Sequence, residues 1–440
     1  MDRISVIFGF IRKYPLCGIE ISLMFMYNEA NILDPRKGII LMNYFSSADI
    51  LLPVNCDLQK WAVTACDQYT SQPEYWHSVR HYVGDAPSTL HMFFPEAELS
   101  NVNDTLLHTY RNKMLQYMEC NILQEYKNCF VYVERTLANG SIRQGIVGKV
   151  DLEFYDYDPK TETKIYATEE TVLQRVPPRV ALRNGAALEF SHTVMFCDDP
   201  ECTLIESVGS KRDTLRKLYD FDLMCNGGHI CGYLLEGIAA ADFSNAIFAY
   251  ESQKPYLVGD GNHSLVTAKL SYEALKATDP MADWSNHPAR FAMVELENIH
   301  SPAMVFEPIY RILLCSNPEG FIKEFEKMDD PMGMPITWVV GNQEGTVRIR
   351  KDDSKLLIEH LQQILDAWVE QNDGEIDYIH GVDTVRELSH KAGTVGFILP
   401  NFNKSILFPY VLSGKVMPRK TFSIGQAKEK RYYLEGRKIK

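Results

Sequence analysis

Two short stretches pair glycine with polar side chains at spacings suited to ligand chemistry. They are Gly259-Asp260-Gly261-Asn262-His263-Ser264 and Asn226-Gly227-Gly228-His229. Tyr256-Leu257-Val258, ahead of the first, reads as a short strand. Leu265, Ala268, Leu270, Tyr272 and Leu275, after it, begin a helical face. The polar residues therefore fall at a helix N-terminus, where N–H groups lack intrahelical partners and the helix dipole favours an anion. Gly259 and Gly261 allow a close backbone approach, and Asn262, His263 and Ser264 add side-chain donors. Such a turn suits a phosphate or a carboxylate. A capped turn with no ligand fits the pattern equally well.

Other polar groups are weaker candidates. The segment 57–76 interleaves Trp61, Tyr69, Tyr75 and Trp76 with Asp67, Gln68, Ser71 and Glu74, a mixture that lines a pocket or covers a core edge. Arg175, Arg179 and Arg183 repeat every four residues, but Pro177-Pro178 interrupts the first pair. They suit ion pairing better than an anion site. Asp198-Asp199 ends a strand before Pro200 and reads as a capped turn or a cation site. His77 and His81 share a helical face without a third ligand and read as surface residues. The tail from Met417 is basic, with Arg419, Lys420, Lys428, Lys430, Arg431, Arg437, Lys438 and Lys440. It offers a charge complement to a bound phosphate, or forms a solvated strand.

Elements that would position these groups are set by periodicity and turn residues. Asp49 to Leu52 is a first strand. Asn103-Asp104 opens a helix with Leu106, Tyr110, Met114, Met118 and Ile122 along one face. Phe130 to Leu137 and Ile142 to Tyr157 form a hairpin around Asn139-Gly140. Lys211 to Tyr219 reads as an amphipathic helix. Strands come next at 192–196, 230–237, 290–297, 304–314 and 394–399, and a helix at 356–369. Strands and helices alternate irregularly, so the fold class is mixed α/β.

The 440 residues carry a net charge of −13, with 45% hydrophobic and 23% charged residues. That is an ordinary composition for a soluble protein, and its acidic balance argues against nucleic-acid binding and anionic membrane surfaces. The ten cysteines form no Cys-x-x-Cys pair, which suits reduced thiols and a cytoplasmic setting. No apolar run reaches the length of a membrane span, and no signal peptide is expected. Residues 1–41 are expected to be an extension outside the main fold. Residues 42–440 make the main domain, with a sub-boundary near 300.

Five segments resemble one bacterial family. They are the run from Trp61 to Trp76, Asn226-Gly227-Gly228-His229, Gly259-Asp260-Gly261-Asn262-His263-Ser264, Phe306-Glu307-Pro308-Ile309-Tyr310-Arg311 and Pro418-Arg419-Lys420-Thr421-Phe422-Ser423. From about Asp49 onward the chain is identified as a member of the family catalogued as domain of unknown function 1015. That family is similar to free-serine kinases and to the ParB/sulfiredoxin-like nucleotide-binding fold. The resemblance implies a ParB/sulfiredoxin-like core with additional strands and helices. It also implies a nucleotide, ADP or ATP, with Mg²⁺, and a small hydroxylated substrate such as serine.

In the kinases an Asp-Gly-x-His-Arg turn holds the nucleotide phosphates, and Asp260, Gly261 and His263 match it. Asn262 stands where sulfiredoxin has its reactive cysteine, so sulfinic-acid repair is not implied. Ser264 stands where both groups have arginine; losing that bidentate contact weakens phosphate binding unless another cation substitutes. His229, Arg419 and Lys420 are candidate substitutes. Asp260 is the candidate Mg²⁺ ligand, and Asp67 and Glu74 are candidate general bases. The residues leave open a phosphotransferase and a non-catalytic nucleotide- or phosphometabolite-binding regulator. A DNA-associated role by analogy to ParB is disfavoured by the charge and by the lack of a helix-turn-helix pattern.

Overall fold

The hairpin around Asn139-Gly140 is the spine of the molecule. Gly140 adopts φ +81°, the left-handed conformation a tight turn needs. In a computed structural model the described residues are 31–34, 39–63, 69, 72–171, 176–190, 193–350, 356–418, 420–425, 427–430 and 434–440. The chain divides into two units, Met1–Asn43 and Tyr44–Lys440. In the first, strands Asn31–Asp34 and Ile39–Met42 pair antiparallel. The second holds both glycine turns.

Its large sheet has eleven strands. They are β1 (Phe45–Ser46), β2 (Ala48–Pro53), β3 (Leu123–Thr136), β4 (Ile142–Asp151), β5 (Tyr155–Asp156), β6 (Ile165–Ala167), β7 (Val194–Cys197), β8 (Arg216–Asp222), β9 (His229–Leu235), β10 (Tyr256–Asp260) and β11 (Phe291–Asn298). The order is β8-β9-β3-β4-β11-β7-β10-β6-β5, with β1 on β4 and β2 on β3. The helices that serve it are α1 (Pro73–Val83), α2 (Asp104–Glu119), α3 (Gly237–Glu251) and α4 (Asn262–Thr278).

One face packs Phe130, Tyr132, Met195 and Val258 against Phe243 and Ile247 of α3 and Leu265 and Tyr272 of α4. The other carries Val131, Val133, Val147 and Met293 against Trp61, Met114, Phe190 and Leu434. The inner strands β3, β4, β7 and β11 are thus buried on both sides near their middles, as a central strand covered twice must be. Across α2 the buried stripe is Leu107, Tyr110, Met114 and Tyr117. It is turned one residue from the expected Leu106/Met118 line, which stays half-buried.

The expected helix at 211–219 does not form. Arg212–Thr214 makes one short turn and the chain then enters β8. Tyr219 and Phe221 alternate toward the core, and the Tyr219 ring fills the space over Gly232 of β9, where a Cβ would lie 2.1 Å from the ring. Nine residues of helical pattern lose to a ladder that the open edge of β9 provides.

A second sheet comes after it in the chain, built from β12 (Phe306–Leu314), β13 (Met334–Val340), β14 (Gln343–Ile349), β15 (Glu375–His380), β16 (Thr394–Ile398) and β17 (Phe422–Ile424). Helices α5 (Pro318–Glu326), α6 (Leu357–Gln371) and α7 (Val382–Ser389) cover it, with Phe321, Leu361 and Val385 in the core. Phe196 and Leu257 of the large sheet pack with Phe306, Leu407 and Phe422, so one apolar seam joins the sheets.

Candidate active site

The β10–α4 junction is assembled by close packing. A Cβ at 259 would lie 2.3 Å from the Phe196 ring, so only glycine lets β10 pass there. The Asp260 carboxylate accepts the Gly261 N–H at 2.8 Å. Gly261, at φ +80°, is the N-cap of the 17-residue α4 and supplies no side-chain cap. Its carbonyl accepts the Ser264 and Leu265 N–H groups at 2.9 and 3.2 Å.

Asn262 turns inward: it accepts the Tyr155 hydroxyl at 2.8 Å and donates to the Glu169 carbonyl at 3.2 Å and Thr171 at 3.1 Å. It is therefore a positioning residue that ties α4 to the sheet. His263 and Ser264 stay half-buried at the first turn. The His263 carbonyl accepts the Thr267 hydroxyl at 2.7 Å.

Charge surrounds this turn. Lys430 of the basic tail pairs with Asp260 at 2.9 Å. On the apolar strands behind it, Arg135, Arg143, Glu295 and Glu297 are all buried. Register explains the group: Arg135 of β3 faces Arg143 of β4, and Gly145 faces Glu297 of β11. A Cβ at Gly145 would lie 2.6 Å from the Glu295 carboxylate, so the glycine makes its room. Arg143 meets Glu297 at 3.2 Å. Burial pushes the Glu297 carboxyl up to about 7; Arg143 opposes this, and Glu295 and Asp260 add to it. Motif and spacing did not single out these four residues. Their signal was partial: Arg135 and Arg143 lie four residues either side of Asn139, so they pair in a hairpin whose three-residue loop is centred there, and Glu295/Glu297 share one face of an apolar strand.

The second glycine turn serves backbone packing. Cys225 and Asn226 adopt φ +56° and +55°, and Gly228 φ +94°. A Cβ at Gly228 would lie 2.1 Å from the Thr136 carbonyl, and one at Gly227 2.4 Å from the Lys428 carbonyl. A cleft of about 680 Å³ opens beside it, walled by Gln59, Tyr75, Tyr82, Met224, Asn226 and His229. His229 points Nδ1 at Asp222 (2.7 Å) and Nε2 at Asp220 (2.8 Å). The bond to Asp222 raises the imidazole pKa most; burial opposes it and Asp220 adds to it. Burial, then Asp220, pushes the neighbouring Cys231 thiol up to about 11.

The two glycine turns lie on β9 and β10, which are not sheet neighbours. The same tail segment reaches both: Lys428 backs Gly227, Glu429 accepts the Ala138 N–H at 3.1 Å, and Lys430 holds Asp260. Glu74 is exposed in the first turn of α1, one residue from Tyr75 of the cleft wall. The Lys420 carbonyl accepts a bond from the buried Arg311 at 2.7 Å. Asp67 and Arg419, like Arg175, lie outside the described residues. Of the other polar candidates, Arg183 pairs with Glu189 at 2.6 Å. Asp199 caps its turn by accepting the Thr203 and Leu204 N–H groups at 2.7 and 2.8 Å.

No curated protein matches the sequence. Among solved structures the chain is similar to free serine kinase in complex with AMP, at 13% identity and a TM-score of 0.35, covering 66% of this chain and 91% of that one. It is also similar to SbnI with a C-terminal truncation from Staphylococcus aureus, at 12% identity and a TM-score of 0.34, covering 63% and 82%. A conserved hypothetical protein from Pyrococcus furiosus is matched at 11% identity and a TM-score of 0.31, covering 62% and 88%. Residues 52–389 match the family described as "Protein of unknown function (DUF1015)". That stretch runs from the end of β2 to the end of α7 and takes in both glycine turns, and the chain belongs to the DUF1015 family.

Proposed function

We propose that the protein binds the phosphates of ADP or ATP at the 260–264 turn and transfers a phosphoryl group to a small hydroxylated metabolite such as serine. The observation that carries this reading is the left-handed Gly261 at the start of α4, an N-terminus without a side-chain cap and with Lys430 beside it. Backbone N–H groups, His263 and Ser264 would hold the phosphates. Lys430 would supply the cation that serine at 264 does not.

Asp260 fits one Mg²⁺ position, because that ion commonly takes one or two carboxylates and completes its shell with phosphate oxygens and water. The phosphates would draw Lys430 off Asp260 and leave the carboxylate to the ion. When bound, Mg²⁺ would neutralise charge on the phosphates. The remaining work is positioning and charge stabilisation. Glu74, beside the cleft wall, is the described carboxylate we assign to accept the substrate hydroxyl proton.

One observation favours a second reading, a nucleotide- or phosphometabolite-binding regulator without turnover. Asp260 is already engaged by Lys430 and the Gly261 N–H, as in a finished structural turn. Incubation with ADP or ATP, Mg²⁺ and hydroxylated metabolites, starting with L-serine and monitored by phosphorus NMR, separates the two. The kinase reading expects a phosphorylated product that falls on the order of a hundredfold in Glu74→Gln. Nucleotide binding without product on any acceptor would leave the regulator.

A further inference from the structure

We propose that Asp220, His229 and Cys231 form a zinc site on the β8–β9 ribbon at the mouth of the cleft. The antiparallel register pairs Asp220 with Cys231 and Asp222 with His229. Alternation along each strand puts all four side chains on one face. The three ligand atoms, Asp220 Oδ1, His229 Nε2 and Cys231 Sγ, lie within 4.8 Å of one another. Nε2 is 2.8 Å from Asp220 Oδ1 and 3.4 Å from Cys231 Sγ.

The second nitrogen supplies an independent indication. His229 Nδ1 lies 2.7 Å from the Asp222 carboxylate. A carboxylate at that position keeps the proton on Nδ1 and aims the Nε2 lone pair at the other two groups, the usual support of a metal-bound histidine. An unprotonated Nε2 facing a carboxylate oxygen is repulsive. Either a second proton or a cation must stand between them.

A thiolate, an imidazole and a carboxylate together select zinc over magnesium or calcium, and three protein ligands leave a fourth position open to water or substrate. Zinc bonds of about 2.0–2.3 Å in a tetrahedron place ligand atoms about 3.3–3.6 Å apart. The His229–Cys231 distance already matches. Asp220 needs to withdraw by about half an ångström, and its side chain, 41% exposed, has room to do so. Lys217 pairs with the other Asp220 oxygen and would stay as an outer partner. Binding releases the Cys231 thiol proton and the His229 Nε2 proton to solvent. The site depends on no residue of the 260–264 turn, so it stands or falls apart from the nucleotide reading.

The test uses the full chain, stripped with a chelator and titrated with Zn²⁺ against a chromophoric competitor, then with Co²⁺. The proposal expects a single zinc per chain, and a thiolate-to-cobalt charge-transfer band that disappears in Cys231→Ser and His229→Gln. Asp222→Asn should keep the band and weaken zinc binding about 10- to 100-fold. Asp220→Asn, at an exposed position, keeps the test open if the Cys231 variant misfolds, and should also weaken uptake. No uptake by the wild type would overturn the site. So would a cobalt spectrum lacking the thiolate band, or uptake unchanged in Asp220→Asn and His229→Gln.

Discussion

Gly228 and Gly261 both hold positive φ, +94° and +80°. A methyl group at Gly261 meets backbone strain of about 1–2 kcal/mol. At Gly228 it must also displace the Thr136 carbonyl, 2.1 Å from where a Cβ would sit. Urea melts should therefore show Gly228→Ala losing more than the backbone strain alone, and Gly261→Ala should lose nucleotide affinity. His229 makes a prediction in pH. With its pKa held above the ordinary value by Asp222 and then Asp220, the metal-free ring should titrate above about 6.5 by NMR, and Asp222→Asn should bring it down. The stability it lends is present in full below about pH 6.5 and fades as pH climbs through the raised value. At this scale the turn residues were legible because glycine, asparagine and proline act locally. The roles of Asn262 and His229 were not, because Tyr155, Glu169 and Asp220 reach them from other parts of the fold.

Among the elements, β10 and α4 were readable from local pattern alone, as was the β3–β4 hairpin. The segment 211–219 was not, because its partner β9 is a non-local edge and the space over Gly232 decides where Tyr219 lies. The buried pairing of Arg143 with Glu297 is fixed by hairpin register and by the β4–β11 ladder, of which only the first is written near these residues. The tail segment 427–430 belongs to this scale too, since one short turn touches both glycine loops. Lys430→Ala should cost less than about 1 kcal/mol in stability, because the Asp260 partner is partly exposed. It should still weaken nucleotide binding on the order of tenfold by removing a charge-assisted contact. Chemical denaturation and calorimetry on one variant would separate the two effects.

For the whole molecule, composition and irregular alternation announced mixed α/β, and the strand order did not emerge from them. Placing β9 beside β3 and β10 beside β7 depends on contacts between strands far apart in the chain, which no local period encodes. The C-terminus closes the large sheet: Leu434 and Ile439 sit in the core with Trp61, and the buried Arg437 meets Glu189 at 3.5 Å. Ending the chain at residue 433 should cost about 3–5 kcal/mol or more, since it removes Leu434 and Ile439 from the core, opens a cavity beside Trp61 and leaves Glu189 with Arg183 as its one arginine among the described residues; thermal melts monitored by circular dichroism would read it. The central claim is that nucleotide phosphates sit on the 260–264 turn. Calorimetric titration of ADP and ATP, with and without Mg²⁺, into the wild type and His263→Ala tests it most directly. The predicted result is binding that Mg²⁺ strengthens and that His263→Ala weakens. Absence of binding to the wild type at millimolar nucleotide, or equal binding by the variant, would contradict it.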